Sequence, residues 1–293
     1  SFYCFGCGAG GDVITFIRQI ENLDYVEAVQ FLARRVGLEV PSDSDGDRMG
    51  QLKARILEIN RAAAHFYHDC LKSPLGRPGL SYLKGRQLEN KTIVKYGLGY
   101  APPDWDSLIR HLKSKGFRLD EMEAAKVAIK GRNGSYYDFF RNRVIFPVID
   151  LRGNVIAFGG RVLDDSKPKY LNTSDTPVFK KSRNLFSMNF AKNVKSDRLI
   201  LAEGYMDVIS INAAGFENVV ATLGTALTPE QARLMSKYAK EIIIAYDSDG
   251  AGQTATHRAI NLLSEVGLSA KTLKIEGAKD PDEFIKKFGA RRF

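Results

Sequence analysis

Residues 199–207 have the sequence LILAEGYMD, residues 242–252 have IIIAYDSDGAG, and residues 279–284 have KDPDEF. In the first two stretches, an apolar run typical of a buried parallel strand ends directly before acidic residues. The carboxyl ends of parallel strands lie along one edge of a sheet, where ligands bind. We therefore expect the acidic side chains to lie close together, although 79 positions separate residue 203 from residue 282.

A cluster of like charges is stable only when cations neutralise it, and hard oxygen ligands favour Mg²⁺ or Mn²⁺. A two-metal site of this kind suits phosphoryl transfer. The alternative is that DSDG forms only a turn and a helix start, because Asp and Gly favour both. The carboxylates that we expect to bind the metal ions are Glu203, Asp207, Asp247, Asp249, Asp280 and Asp282.

The apolar pattern after residue 198 alternates regularly between strands and helices. Strands are predicted at LILAE, NVVATLG, EIIIAY and AKTLKI, and a capping box at Thr228–Gln231 predicts the start of one of the helices between them. Such alternation with short loops predicts right-handed crossovers and a parallel sheet flanked by helices. The predicted fold class is α/β for residues 198–293.

The upstream part of the chain has a different pattern. RVIFPVID and NVIAFGGRVL, joined by LRGN, predict a β-hairpin, and a helix is predicted from about Leu52 to Leu71. PSDSDGDRM at 41–49 is rich in loop-forming residues and predicts an exposed linker. We therefore expect four parts: residues 1–40 around a CxxC motif, the linker 41–49, a mixed α+β part at 50–197, and the α/β part at 198–293.

The composition is that of a globular protein with an anionic partner. The 293 residues carry a formal charge of +9, with pI near 9.3, and nucleic acid is the common partner of such a basic chain. No apolar run approaches the roughly 20 residues needed to span a bilayer, so no membrane partner is expected. Only three cysteines are present, and they do not make a disulfide framework, which favours a location in the reducing cytoplasm.

The positive charge is concentrated directly before the acidic stretches. Residues 141–198 contain twelve lysine and arginine residues against five aspartates, with aromatic residues among them. Cations interleaved with aromatic residues suit the binding of a single nucleic-acid strand, whereas an isolated cation is more often a solvated surface residue. In FFRNRV, strand periodicity predicts that Arg141 and Arg143 share one face.

Cys4 and Cys7 form a CxxC motif, which is half of a structural zinc site. Structural zinc needs four ligands, and CxxC supplies two thiolates from one tight turn. His65 and His68 could in principle complete the set, but a helix with ordinary histidines is the simpler interpretation. A redox role is disfavoured, because redox CxxC motifs lie at strand-to-helix turns.

The order Glu-Gly after one strand and Asp-x-Asp-x-Ala-Gly after a later one resembles the TOPRIM domain. EGYMDVI, YYDFFRNRVIFPV, AFGGRVL, PKYLNTSDTPVF and CFGCG, which cover nearly the whole chain, narrow the resemblance to the bacterial DNA primase family of the DnaG type. The resemblance implies a TOPRIM parallel sheet, a basic α+β subdomain before it, and the end of a zinc-binding domain at residues 1–40. Gly250 follows Asp249 where many members have Arg, which leaves the metal ligands intact but removes one phosphate contact.

The resemblance also implies roles for single residues. Glu203, Asp247 and Asp249 would be catalytic, and they would bind Mg²⁺ or Mn²⁺ together with the other carboxylates. Nucleotide or nucleic-acid contacts would come from Arg86, Arg141, Arg143, Arg161, Lys169, Tyr170, Asn172 and Lys181, where the neighbouring Lys180 could replace Lys181. Cys4 and Cys7 would bind Zn²⁺ with a Cys and a His that precede this stretch in family members.

By the same resemblance we expect a primase core that makes short RNA primers on a single-stranded DNA template from NTPs. Its partners would be the template, NTPs, the RNA primer/DNA hybrid and, through a domain outside this chain, the replicative helicase; we expect a monomer and a piece of a longer protein. Two alternatives remain open: a TOPRIM nuclease or topoisomerase, and a single-strand-binding module without catalysis. DNA cleavage without NTPs would favour the first, and unchanged binding after loss of the carboxylates would favour the second.

Overall fold

The architecture is described from a computed structural model that covers residues 1–6, 8–21, 23, 25–38, 44–247 and 250–293. Within these ranges the side chains of Glu27, Ser44, Asp45, Asp47 and Ala251 are not described. The chain divides into two compact units, Ser1–Gln51 and Leu52–Phe293.

The first unit is a small β-ribbon followed by helices. Strands β1 (Phe2–Tyr3) and β2 (Gly10–Gly11) pair antiparallel, and helices α1 (Val13–Glu21) and α2 (Tyr25–Arg35) pack on each other. Asp12, directly before α1, accepts a hydrogen bond from the Thr15 backbone N–H at 2.7 Å and so caps this helix.

The predicted linker at 41–49 is wrong in part. Residues 44–49 are helical and begin α3 (Ser44–Lys72), while residues 41–43 lie outside the described residues. Serine and aspartate are common at helix starts as well as in loops, so composition alone could not separate the two structures.

The second unit contains the rest of α3 and two larger sheets with the helices around them. Its further helices are α4 (Arg77–Gly85), α5 (Asn90–Lys95), α6 (Ser107–Ser114), α7 (Leu119–Ala124), α8 (Met188–Ala191), α9 (Tyr205–Ala213), α10 (Pro229–Ser236), α11 (Gly250–Glu265) and α12 (Pro281–Phe288). Its strands are β3 (Gly99–Ala101), β4 (Ala128–Lys130), β5 (Tyr136–Asp138), β6 (Arg143–Ile149), β7 (Val155–Val162), β8 (Tyr170–Asn172), β9 (Arg198–Ala202), β10 (Val219–Ala221), β11 (Glu241–Ala245) and β12 (Ser269–Thr272). Among the helices in the described ranges, none has the length and apolar character to cross a membrane.

The predicted parallel sheet is confirmed. Its strand order is β10-β9-β11-β12, all parallel, and Ala202 of β9 lies opposite Ala245 of β11. The capping box before α10 is also present, because the Thr228 hydroxyl accepts from the Gln231 N–H at 3.2 Å and the Gln231 side chain accepts from the Thr228 N–H. Helix α10 ends at Ser236.

The predicted hairpin is confirmed as the centre of the second large sheet. This sheet has the order β3-β6-β7-β8 and is antiparallel throughout, with Phe146 opposite Gly159 in the hairpin. The ring of Tyr205, in the first turn of α9, stacks on Phe146 with centroids 4.9 Å apart. A Cβ at Gly159 would lie 2.4 Å from the Tyr205 ring, so only glycine lets the parallel sheet's first helix approach this closely.

A buried carboxyl ties two elements of the α+β part together. Asp138, at the end of β5, accepts hydrogen bonds from the backbone N–H groups of Leu108 (2.8 Å) and Ile109 (3.0 Å) in the first turn of α6. Burial raises the pKa of Asp138 to about 6, because desolvation outweighs the hydrogen bonds that favour the carboxylate.

We expect Gly159→Ala to lower the free energy of unfolding by about 2–3 kcal/mol, because the new methyl group overlaps the Tyr205 ring. Urea denaturation followed by the fluorescence of Trp105, the single tryptophan, measures this. Gly85→Ala, where a Cβ would meet nothing within 4 Å, is the control and should change stability little. Equal midpoints for the two variants would contradict the close-packing argument.

We expect Asp138 to make stability fall as pH rises from about 4 to about 6, by up to about 3 kcal/mol. The sign follows from the raised pKa: the folded state holds the proton more tightly, so ionisation favours the unfolded chain. Asp138→Asn should remove this part of the pH dependence, measured as the difference between the wild-type and variant urea midpoints at pH 4.5 and 6.5. A difference that does not change with pH would contradict the prediction.

Candidate metal and nucleotide site

Two carboxylate residues follow neighbouring strand ends of the parallel sheet. Glu203 comes directly after β9, and Asp247 comes two residues after the end of β11. Oε1 of Glu203 accepts a hydrogen bond from the backbone N–H of Asp247 at 3.0 Å. The two stretches that were predicted to meet therefore do so, at the carboxyl edge of the sheet.

Glycine allows the helix after β11 to approach this edge. A Cβ at Gly252, in the first turn of α11, would lie 2.2 Å from the Asp247 carbonyl oxygen and 3.0 Å from Oε1 of Glu203. Any larger residue would have to push the helix away from the carboxylates. Gly252 thus sets the distance between α11 and the acidic edge.

Asp207 shows that the acidic residues repel one another. It lies in the first turn of α9, one turn after Glu203. Burial raises the pKa of Asp207 to about 7, and the negative charges of Asp247, Asp280, Asp282 and Glu203 add to this rise. Because Asp207 interacts with the charges of four other carboxylates, these five residues belong to one acidic cluster.

The two aspartates of KDPDEF have protein partners of their own. Asp280 caps α12, accepting from the Glu283 N–H at 2.7 Å. Asp282 is 2% exposed, and its Oδ2 accepts from Nη1 of Arg86 (2.5 Å) and Nζ of Lys286 (2.7 Å).

The second carboxylate oxygen of Asp282, Oδ1, accepts from the Ser210 hydroxyl. Both oxygens are thus engaged by protein donors, which differs from the expectation of a metal ligand. These partly buried cationic neighbours could not be inferred from the spacing of KDPDEF. Metal binding by Asp280 and Asp282 stays a prediction.

The donor set fits a hard divalent cation in its chemistry. All of the donors are carboxylate oxygens, which suit Mg²⁺ or Mn²⁺, and a cation would offset the burial and the neighbouring negative charges that raise the pKa of Asp207. Within the described ranges no three His, Cys, Asp or Glu side chains converge closely enough to hold a metal ion. Asp249, an expected ligand, lies outside these residues.

Two of the predicted nucleotide-binding cations contact Tyr82, a residue that no sequence motif indicated. Nε of Arg86 donates to the Tyr82 hydroxyl at 3.2 Å, and the guanidinium of Arg161 lies 4.2 Å from the centroid of the Tyr82 ring. Nη1 of Arg161 donates to the Val162 carbonyl at 2.9 Å, while its buried Nε has no hydrogen-bond partner.

Asn172 and Tyr170 lie where the two large sheets meet. Oδ1 of Asn172 accepts from the Tyr205 hydroxyl at 2.7 Å, and its Nδ2 donates to the Leu223 carbonyl at 2.9 Å. The ring of Tyr170 lies 6.1 Å from that of Tyr205, and burial raises its pKa well above the ordinary value. Asn172 therefore joins β8 to α9 and to the loop after β10; base or sugar contacts by these two residues stay predictions.

Arg141 and Arg143 do not share an environment, contrary to the strand-periodicity prediction. Arg143 is 7% exposed, and its Nη1 donates to the carbonyls of Gly160 (3.2 Å), Pro168 (2.9 Å) and Lys169 (3.3 Å). The carbonyl groups of the β7–β8 segment thus bind this guanidinium in the interior, and contact of Arg143 with nucleic acid stays a prediction.

The guanidinium of Arg141 lies instead against exposed aromatic rings. It is 4.4 Å from the centroid of Trp105, which is 65% exposed, and 5.1 Å from that of Tyr137. Trp105 could not be recognised from the sequence, because it is 36 positions from Arg141 and belongs to no motif. A cation with accessible aromatic rings beside it suits contact with a single nucleic-acid strand.

The remaining predicted cations are more exposed. Lys169 is exposed, and Lys181 is partly exposed in a short turn where its backbone N–H donates to Asp175 at 3.0 Å. Nζ of Lys180 lies 3.6 Å from the same carboxylate. Because Lys180 is engaged in this ion pair, Lys181 is the better candidate of the two lysines for a phosphate contact.

In the first unit, Cys4 is exposed and lies in a tight turn, where its carbonyl accepts from the Gly8 N–H at 2.9 Å and its N–H donates to Ala9 at 2.7 Å. Cys7, the second predicted zinc ligand, lies outside the described residues. Zinc binding by this pair stays a prediction.

Comparison with known families identifies three consecutive matches along the chain. Residues 1–48 match a CHC2 zinc finger, residues 66–192 match the N-terminal domain of the DNA primase catalytic core, and residues 200–285 match a Toprim-like domain. The three matches have the order that the sequence motifs predicted.

Individual proteins agree with this result. The chain is 46% identical over 296 residues to the DNA primase of Clostridium acetobutylicum, covering 100% of the chain and 49% of that protein. It thus spans about half the length of this relative.

Two solved structures resemble the fold closely. The zinc-binding and RNA polymerase domains of Aquifex aeolicus primase superpose with a TM-score of 0.75 at 38% identity, covering 99% of the chain and 70% of that structure. The catalytic domain of a DnaG primase bound to single-stranded DNA gives a TM-score of 0.77 at 32% identity, with 83% and 80% covered. The chain therefore belongs to the DnaG-type DNA primase family.

Proposed function

We propose that this chain is the core of a DNA primase, which joins ribonucleotides into short RNA primers on a single-stranded DNA template. The observation that carries the proposal is the acidic cluster at the ends of β9 and β11, where Glu203 is bonded to the Asp247 backbone and Asp207 is held at a raised pKa. Family membership supports the same reaction. In it, the primer 3′-hydroxyl attacks the α-phosphorus of an NTP, and pyrophosphate leaves.

Glu203, Asp247 and Asp249 would be the catalytic carboxylates, with Asp207, Asp280 and Asp282 completing the metal-binding set. Mg²⁺ or Mn²⁺ held there would lower the pKa of the attacking hydroxyl and stabilise the leaving group. The carboxylates also fix the site itself, since Glu203 orders the start of the β11–α11 loop through the Asp247 N–H. The carboxylates of Glu203 and Asp247, which follow neighbouring strand ends, support these roles.

The triphosphate would be bound by cations that face the acidic cluster. We assign this role to Arg86, Arg161, Lys169 and Lys181. The buried Nε of Arg161 has no acceptor among the described residues, and a phosphate oxygen would supply one. Charge-assisted bonds of this kind are about twice as strong as neutral ones.

The template would follow the surface around Arg141 and Trp105. Exposed aromatic rings beside a guanidinium suit stacking with bases and contact with phosphates, independent of sequence. A related catalytic domain was solved with single-stranded DNA, which supports this partner. Tyr170 and Asn172 would act at the junction of template and active site.

The proposal extends to the division of the chain and to the whole protein. Residues 1–40 would be the end of a zinc-binding domain in which Cys4 and Cys7 hold Zn²⁺ with ligands from the longer protein. Residues 50–197 would bind template, and residues 198–293 would hold the metals. In replication, the longer protein would meet the helicase through another domain.

We expect Glu203→Gln to lower primer synthesis by at least about 100-fold, because an amide is a poor ligand for a hard cation and carries no charge. The amide oxygen can still accept from the Asp247 N–H, so the fold should be kept. Template-dependent incorporation of labelled NTPs with Mg²⁺ or Mn²⁺ measures this. Glu265→Gln, at an exposed position of α11, is the control; full activity of the Glu203 variant, or DNA cleavage without NTPs, would contradict the proposal.

We expect Asp207→Asn to stabilise the metal-free protein at pH 8 by about 2–4 kcal/mol, because the buried charge is removed. The sign follows from the raised pKa of about 7: the cost of ionising Asp207 is complete above that pH. Mg²⁺ should then raise the melting temperature of the variant less than that of the wild type.

Thermal melts in EDTA and in MgCl₂ check the Asp207 prediction, with Asp165→Asn at an exposed position as the control. Equal Mg²⁺-induced shifts in wild type and Asp207→Asn would remove Asp207 from the metal site.

A further inference from the structure

We infer that Tyr82 is a positioning residue, which holds Arg86 and Arg161 in the orientation that binds the triphosphate. This inference rests on the proposed function of the site. Tyr82 is not a metal ligand and lies more than a hundred positions from the acidic stretches, so it would act only through the two cations. Its hydroxyl accepts a hydrogen bond from Arg86, and its ring centroid lies 4.2 Å from the guanidinium of Arg161 and 5.8 Å from that of Arg86.

Arg86 is held at both ends of its guanidinium. Nε donates to the hydroxyl of Tyr82, which lies one helical turn earlier in α4, and Nη1 donates to Asp282 of α12 at 2.5 Å. Asp282 is itself fixed by Lys286 and Ser210. A guanidinium with two acceptors in different elements has a defined plane, so less rotamer entropy is lost when a phosphate binds its remaining N–H groups.

Arg161 is held by the ring of Tyr82 rather than by its hydroxyl. The guanidinium lies 4.2 Å from the ring centroid, which is the geometry of a cation–π contact. Its Nη1 is bonded to the Val162 carbonyl, whereas its buried Nε has no partner in the described residues. A buried donor without an acceptor is costly, and an anionic ligand beside the ring would satisfy it.

The two cations and the acidic cluster adjoin one another. Nη1 of Arg86 donates to Asp282 at 2.5 Å, and Arg161 lies 4.2 Å from the centroid of the ring whose hydroxyl accepts from Arg86. A triphosphate that reaches Arg86 and Arg161 would therefore lie beside a carboxylate of this cluster. Tyr82, which contacts both cations, fixes the spacing of this cationic pair.

The test compares two substitutions that separate the contacts of Tyr82. Tyr82→Phe removes only the acceptor of Arg86 and should raise KM for NTPs about fivefold. Tyr82→Leu also removes the ring and should raise KM about 25-fold. In both variants kcat should change by less than about twofold, because the residue orders binding groups and does not touch the reacting atoms.

A double-mutant cycle distinguishes positioning from a merely structural role. If Tyr82 acts through Arg86, Tyr82→Phe should raise KM no further in an Arg86→Ala background. Additive effects in the cycle would overturn the inference. Tyr82→Phe keeps the packing volume, so the cycle remains informative even if Tyr82→Leu folds poorly.

Tyr136 provides the matched control. Its hydroxyl donates to Glu123 at 3.1 Å and Lys130 lies over its ring at 5.9 Å, but it belongs to the separate two-stranded β4–β5 sheet. Tyr136→Phe and Tyr136→Leu should leave KM unchanged. If Tyr82→Leu changed KM no more than Tyr136→Leu, the inference would be wrong.

Calorimetric titration of the 293-residue chain with Mg²⁺-ATP separates failure of this inference from failure of the proposed function. A wild type that binds ATP but makes no RNA contradicts the primase proposal, and weaker ATP binding by the Tyr82 variants would still support the positioning role. A wild type that makes RNA, with Tyr82 variants equal to it in ATP affinity, overturns the positioning role alone. A wild type that neither binds ATP nor makes RNA overturns both.

Discussion

The stacking of Tyr205 on Phe146, across a strand position where only glycine fits, is the contact on which the arrangement of the second unit depends. Tyr205 lies two positions after Glu203, and Phe146 lies in the middle of β6, one of the two strands of the antiparallel hairpin. The stack therefore fixes the start of α9 against the sheet that carries the cationic residues. The Asn172 side chain reinforces this joint from β8. Without the joint, the acidic and basic halves of the site would have no defined separation.

The acidic and the basic residues of the site have opposite electrostatic environments. On the acidic side, burial and neighbouring negative charges together raise the pKa of Asp207. On the basic side, Arg86 and Arg161 already have protein acceptors or an aromatic ring that limits their freedom. The acidic side thus favours cations on electrostatic grounds, whereas the basic side is preorganised for an anion. Binding of a metal-bound triphosphate would satisfy both sides at once.

The sequence predicts those parts of the structure that depend on local pattern. The apolar runs before Glu203 and Asp247 predict buried strands, and parallel pairing then brings these residues together without further information. The environments of Arg143 and Asp282 could not be predicted, because they come from distant carbonyls and cations that no spacing reveals. Trp105 was missed for the same reason, and Tyr82 was missed because it shares no motif with Arg86 or Arg161. The helical start of α3 was missed because serine and aspartate suit loops and helix starts alike.

The ion pair between Arg86 and Asp282 has a consequence for how the protein is made. Its two residues are 196 positions apart, so during synthesis the cation emerges from the ribosome long before its partner. Contacts of such long range form only after the intervening chain is available, and they are entropically costly to close. This contact can therefore form only once α12 has been translated, and a nascent chain that stops earlier leaves Arg86 without its carboxylate partner.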